Sequence, residues 1–349
     1  MAKKNNILSD LFLKSSEKKP MKWLFPVEIG MVIYAIFTIF IILFTSTSLH
    51  NPEALIWWRV RVVLLTLALW LVYRVWPCRA MAFARIGLLL VTLSWWYPDT
   101  YVLNCHFENL DHVFASWDQK LFGFQPALLW SKAYPSHIVS ELMAMGYSLY
   151  FLMFVSLTFY VFIKRYEDFQ KVSFILITSF FVYYVVFVLF PVAGPQYYYL
   201  AVGVDEIARG HFPEVGTYFA KHTECLPIPG WEDGFFRNLV QKAHETGERP
   251  TAAFPSSHVG VSTLTMIIAL WLKEYKFVLI WAIPWIFLCM GTVYLLPHYA
   301  VDAIAGFFSA IVVFFLLKQC VGVTLNYNFN ATRSKYKGTG AGNEEKTRL

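Results

Sequence analysis

The chain has 349 residues, of which 57% are hydrophobic and 15% are charged, and its mean hydropathy is +0.49. A soluble globular protein has an apolar share of roughly 45–50%, so this composition excludes that class and predicts an all-α, polytopic membrane protein. The net charge is +6, and the basic residues that flank the membrane helices account for it. The sequence contains no nucleic-acid-binding motif.

The membrane helices can be placed from the apolar runs, which follow a basic tail at residues 1–26. No small-residue cleavage site follows the first run, which favours an anchor over a removed signal peptide. A crossing takes about 20 residues, so we predict an integral helix bundle of about eight spans. These spans lie near 27–48, 55–75, 81–100, 137–163, 172–191, 256–272, 277–297 and 300–319. The first three (27–100) precede a membrane core at 137–320, and a polar tail at 321–349 is expected to be disordered.

Lys and Arg in short connections predict the orientation of the bundle. Basic residues fill both terminal tails and the turns at 164–171 and 273–276, and all of these fall on one side in the eight-span arrangement. We therefore expect both termini to be cytoplasmic and the opposite connections to face the periplasm or an organelle lumen. Arg59 and Arg61, near the outer end of the second span, are expected to snorkel to the interface.

Two longer segments lie on that outer side. In 101–136 apolar residues at helical spacing alternate with charges, which predicts an amphipathic helix in the membrane interface, acting as a structural plug. The 192–255 loop is rich in Pro, Gly and charges of both signs. A loop of this length is usually functional or disordered, and a lid or headgroup-selecting cap is expected here. Cys105 and Cys225 lie on this oxidising side and could pair.

Two histidine motifs return to the same outer face. His258 follows Pro255, Ser256 and Ser257, which together indicate a capped helix start where free N–H groups and the helix dipole can bind phosphate. His298 follows a proline, and Asp302 lies four residues later on the same helix face. An Asp that accepts a hydrogen bond from one imidazole nitrogen leaves the other nitrogen free to attack phosphorus.

Three ordered stretches resemble the motifs of the type-2 phosphatidic acid phosphatase superfamily. They are Phe190-Pro191-Val192-Ala193-Gly194-Pro195, Phe254-Pro255-Ser256-Ser257-His258 and Tyr294-Leu295-Leu296-Pro297-His298-Tyr299-Ala300-Val301-Asp302. The resemblance implies a six-helix catalytic core that needs no metal or cofactor. It also implies that His298 becomes phosphorylated, Asp302 orients it and His258 protonates the leaving alcohol.

The chain departs from the phosphatase pattern at three cations. Phosphatase members usually carry Lys and Arg-Pro in the first motif and Ser-Arg ahead of the third, whereas Gln196-Tyr197 follow the first motif here and Gly291-Thr292 precede the third. This departure resembles the inositol phosphorylceramide synthase branch and its sphingomyelin synthase relatives. The groups that could replace those cations are Ser256, Ser257, Gln196, Tyr294 and a loop cation such as Arg237, Lys242 or Arg249.

The expected function is therefore a lipid phosphotransferase that moves a phosphoinositol-like headgroup from a glycerophospholipid to a ceramide-type acceptor. Its partners are these two lipids and the bilayer, with no nucleic acid, no metal and no cofactor. One alternative is a lipid phosphate phosphatase, in which water is the acceptor. Another is a transporter or structural membrane protein, which the gathering of polar groups at one face disfavours, because a transport path places some near the bilayer midplane.

Overall fold

The computed structural model describes residues 11–13, 17 and 20–340. Across these residues the fold is helical and contains no strand. The principal helices are α1 (Pro26–Phe44), α2 (Pro52–Val75), α3 (Arg79–Asn104), α4 (Asp111–Phe122), α5 (Pro126–Ala133), α6 (His137–Ser148), α7 (Tyr150–Lys164), α8 (Tyr166–Leu189), α9 (Pro195–Val202), α10 (Val204–Ala208), α11 (Phe235–Gly247), α12 (Ser257–Trp271), α13 (Tyr275–Tyr294) and α14 (Ala300–Gly340). The expected all-α bundle is confirmed.

Six of the described helices, α1, α2, α3, α8, α13 and α14, are long and apolar enough to cross a membrane. The predicted span at 137–163 is broken into α6 and α7, which meet at a bend of 44°. The predicted span at 256–272 is the shorter apolar helix α12. Counting the bent pair and α12, the arrangement agrees with the prediction of about eight spans. The terminal tails lie partly outside the described residues, and α14 continues to Gly340.

Two close helix crossings bring the later helices together. A Cβ atom added to Gly146 of α6 would lie 2.3 Å from the backbone nitrogen of Leu288 in α13. A Cβ atom on Gly306 of α14 would lie 2.5 Å from the carbonyl oxygen of Ser256, just before α12. Glycine at these positions lets the helix backbones touch, as small residues do in membrane helix pairs. The N-terminal ends of α12 and α14 are thereby held side by side.

Buried ion pairs connect the first three helices. Arg59 of α2 is fully buried and binds Asp99 of α3, while its Nε donates to the hydroxyl of Thr38 at 2.8 Å. Arg85 of α3 donates from Nε to Glu28 of α1 at 2.7 Å. Charges inside the membrane are stable only when paired in this way. The expectation that Arg59 snorkels to the interface is wrong, because Asp99 offers a partner inside the bundle.

The long connections gather at one end of the bundle. Leu110 N–H donates to the carbonyl of Pro191 at 2.9 Å, and Ala253 N–H donates to that of Val192 at 3.0 Å. The 105–136 and 190–256 segments therefore pack on one another beside the α13–α14 turn. Helix α4 is amphipathic as predicted, with one face buried and Trp117 and Leu121 exposed. Cys105 and Cys225 are free cysteines in this structure and are not paired.

Candidate active site

His258 and His298 meet at this end of the bundle. His258 lies in the first turn of α12, whose start is capped by the Ser256 hydroxyl accepting from Val259 N–H at 3.3 Å. His298 lies in the turn between α13 and α14 and is 3% exposed. Its Nε2 is 3.4 Å from Nδ1 of His258. The two histidines of the predicted site, 40 positions apart in the sequence, are thus in contact.

The other ring nitrogen of His298 is held by a backbone carbonyl. His298 Nδ1 lies 2.7 Å from the carbonyl oxygen of Ala253, which can only accept, so Nδ1 carries the proton and Nε2 the lone pair. Burial, with His258 next in effect, lowers the pKa of His298 to about 3. The ring is therefore neutral at physiological pH, and its free lone pair points at His258.

Asp302 lies beside His298, as expected, but makes no hydrogen bond to its ring. Its Oδ2 is 3.8 Å from His298 Nδ1 and instead accepts Tyr299 N–H at 2.8 Å. Its backbone carbonyl accepts Ser256 N–H at 3.0 Å. Its Oδ1 is buried without a hydrogen-bond partner among the described residues. Asp302 thus fixes the turn that carries His298 and ties that turn to the start of α12.

Two aspartates of α4 hold the loops around this turn. Both carboxylate oxygens of Asp118 accept backbone N–H groups, from Ala300 and Val301, each at 2.9 Å. Asp111 accepts Ala193 N–H at 2.6 Å and Gly194 N–H at 2.8 Å. The 101–136 segment is therefore more than a plug, because it clamps the first and third motifs. Two aspartates seven residues apart, on one face of an amphipathic helix, were the sequence signal for this clamp.

A second polar cluster, not anticipated from the sequence, surrounds Glu248 in the long loop. Its Oε2 lies 2.8 Å from His244 Nε2 and accepts from Gln196 Nε2 at 3.0 Å, and its Oε1 accepts from the Tyr147 hydroxyl at 3.2 Å. The Tyr147 ring in turn stacks on His258, with ring centroids 4.6 Å apart. The available signal was the i,i+4 spacing of His244 and Glu248 at the end of a helical pattern.

The site is a narrow, partly open cavity of about 10 Å³, a volume close to that of a single water site. Both histidines, Gln196, Ser257, Glu248 and Arg249 are among its lining residues. A lipid headgroup is larger than this cavity, so the side chains or loops around it must move for a headgroup to bind.

The remaining predicted phosphate ligands lie outside this lining. Ser256 serves as the helix cap, and the Tyr294 hydroxyl donates to the Tyr134 carbonyl at 2.9 Å. Arg237 donates to the carbonyl of Ile228 at 3.1 Å. Lys242 is exposed on α11 and does not line the cavity. Among the described lining residues, Arg249 is the one Lys or Arg side chain.

The fold and this site define a helical membrane protein with two adjacent histidines at one end of its helix bundle. The family model of the PAP2 superfamily matches residues 112–316, more than half of the chain. The protein therefore belongs to the PAP2 superfamily, whose members act on lipid phosphates as phosphatases or phosphotransferases. No curated protein and no solved structure matches the chain.

Proposed function

We propose that the protein is a lipid phosphotransferase that works through a phosphohistidine on His298. Nε2 of His298 attacks the donor phosphorus, the P–O bond to diacylglycerol breaks, and His258 gives its proton to the departing oxygen. In the second step His258 takes the proton of an acceptor hydroxyl, which attacks phosphorus and breaks the P–N bond. Asp302 fixes the turn of His298, and the Ala253 carbonyl fixes its tautomer. The contact between His298 Nε2 and His258 Nδ1, at 3.4 Å, is the observation that carries this proposal.

The charge of the cavity favours a phosphodiester donor over a phosphomonoester. A monoester dianion is best held by several cations, but the described lining contributes the cation Arg249 beside the carboxylate of Glu248. A diester bears one negative charge, which Arg249 and the N–H groups at the start of α12 can bind. The donor is therefore a glycerophospholipid, with phosphatidylinositol as the proposed case.

The narrow cavity with its aromatic lining also favours transfer over hydrolysis. The aromatic rings of Tyr97 and Tyr147 line it, and a site that excludes bulk water protects a reactive phosphohistidine from hydrolysis. The proposed acceptor is the primary hydroxyl of a ceramide-type lipid, which reaches the site from the bilayer. The distribution of Lys and Arg supports placing this chemistry at the periplasmic or lumenal face.

The test is a product assay on purified protein in vesicles that contain phosphatidylinositol and a fluorescent ceramide. We expect diacylglycerol and an inositol phosphosphingolipid to form together, and His298→Ala to abolish both. Phosphatidic acid should release little inorganic phosphate. Rapid phosphate release from phosphatidic acid, with no acceptor-dependent product, would instead identify a lipid phosphate phosphatase.

A further inference from the structure

The Glu248 carboxylate is the most heavily bonded side chain at the edge of the cavity. It is contacted by His244 at 2.8 Å, Gln196 at 3.0 Å and the Tyr147 hydroxyl at 3.2 Å. These partners come from α11, α9 and α6, so one carboxylate joins three separate elements. The proposed phosphotransfer mechanism assigns no role to Glu248, although Glu248 lines the same cavity as both histidines.

Glu248 is held in its ionised form. Its side chain is 17% exposed and that of His244 is 7% exposed. Burial opposes both charges, but their mutual attraction prevails, raising the pKa of His244 to about 9 and lowering that of Glu248 to about 2. Between these limits the cavity edge carries a fixed negative charge, with the compensating positive charge of His244 on the outer loop.

Tyr147 connects the Glu248 carboxylate to the His258 ring. The Tyr147 ring stacks on His258 at an interplanar angle of 22°, while its hydroxyl donates to Glu248. Tyr150 covers the same imidazole, with ring centroids 4.5 Å apart. Titratable and charged groups surround His258 on several elements. The helices contribute Tyr97 (α3), Tyr147 (α6), Tyr150 (α7), His244 (α11) and Asp302 (α14), and the loops and turns contribute Glu248, Arg249 and His298.

A protonated His258 needs a nearby negative charge. Asp302 is committed to the Tyr299 turn, and Glu248 is the one carboxylate among the described residues that line the cavity. A carboxylate at this position favours an imidazolium over a neutral imidazole by ordinary electrostatics. Proton donation by His258 therefore depends on the state of Glu248.

We propose that Glu248 is a positioning residue for proton transfer, which keeps Tyr147 stacked on His258 and stabilises the protonated imidazole before it donates to the leaving oxygen. This inference rests on the proposed phosphotransferase function. In the donor step the imidazolium N–H bond breaks and the O–H bond of diacylglycerol forms, while phosphorus moves from that oxygen to His298. His244 tunes the step in the opposite sense, because its charge partly cancels that of Glu248.

The test is the pH profile of turnover with the glycerophospholipid donor for two charge-removing variants. In Glu248→Gln the limb at which activity falls with rising pH should move down by about one pH unit, a tenfold change in proton affinity. In His244→Gln the same limb should move up, because the carboxylate loses its compensating charge. Opposite shifts cannot arise from a shared folding defect, and either variant decides the question if the other does not fold.

The matched control is Glu245→Gln on α11, which removes an exposed carboxylate that accepts from Gln241 at 2.9 Å. Its profile should match that of the wild type. An unshifted limb in either folded variant, Glu248→Gln or His244→Gln, with an active wild type, would overturn the proposed role of Glu248 and leave the phosphotransferase function standing. A wild type that forms neither an acceptor-dependent product nor a covalent intermediate would instead refute the proposed function.

Discussion

Gly194→Ala should strongly slow lipid transfer, because Gly194 lies against the turn that carries His298. Gly194 has φ +97°, and a Cβ atom there would lie 2.4 Å from the carbonyl oxygen of Pro297. Contacts under 3.0 Å are essentially absent from real structures, so the turn must move by about 0.6 Å. A misplacement of catalytic groups by about 1 Å costs about 100-fold in rate, so about 100-fold is the upper limit of the expected loss. The backbone strain of Ala at this φ adds about 1–3 kcal/mol.

Gly203→Ala is the matched control, because Gly194 and Gly203 flank the same helix, α9. Gly203 has φ +100°, but a Cβ atom there meets nothing within 4 Å. Both Ala variants therefore have backbone strain from the positive φ, but only Gly194→Ala also has the steric contact. Thermal unfolding should show a loss of stability in both variants, larger in Gly194→Ala because of the added steric contact. Lipid transfer should fall, by up to about 100-fold, only in Gly194→Ala. Equal turnover in the two folded variants would refute this account of the turn.

Three further outcomes are expected. Asp118→Ala removes the acceptor of two backbone N–H groups at the start of α14, so its unfolding free energy should fall by about 3 kcal/mol in thermal or denaturant unfolding; an unchanged value would contradict the clamp. The pKa of His244 is raised to about 9, so the stability that its pair with Glu248 contributes is complete below pH 6.5 and is lost as pH rises through about 9. Thermal unfolding of His244→Gln across this pH range should show no such loss. In intact cells that carry Cys105→Ser, a membrane-impermeant maleimide should label the exposed Cys225, and labelling only after permeabilisation would place the site on the cytoplasmic face.

Hydropathy was sufficient to predict the bundle, because a membrane crossing sets both the length and the composition of its helix. It was not sufficient to predict the break between Ser148 and Tyr150, since both halves are apolar. The burial of Arg59 was also missed. Its partner Asp99 lies 40 residues later, and only the packing of α2 against α3 brings them together.

The histidine pair was predicted because each histidine follows a proline-containing helix start, and because the sequence between them is long enough to cross the membrane and return. The partner of His298 Nδ1 was not, because a backbone carbonyl leaves no mark in the sequence. Asp302 was the partner expected from the i+4 spacing, yet the carbonyl oxygen of Ala253 lies closer to His298 Nδ1, at 2.7 Å. The residue before it, Ala252, has a positive φ of 68°. The Glu248 cluster was missed for a related reason, because it forms only when the 192–255 loop packs against α6.

The central claim is a covalent intermediate on His298, and direct trapping tests it. Purified protein is mixed with phosphatidylinositol, without an acceptor, quenched in base, where phosphoramidates survive, and digested for mass spectrometry. We predict a phosphoinositol adduct on the peptide that contains His298, absent from His298→Ala and lost when a ceramide acceptor is added before the quench. Acceptor-dependent product formed at the normal rate by His298→Ala, with no adduct in the wild type, would contradict the account.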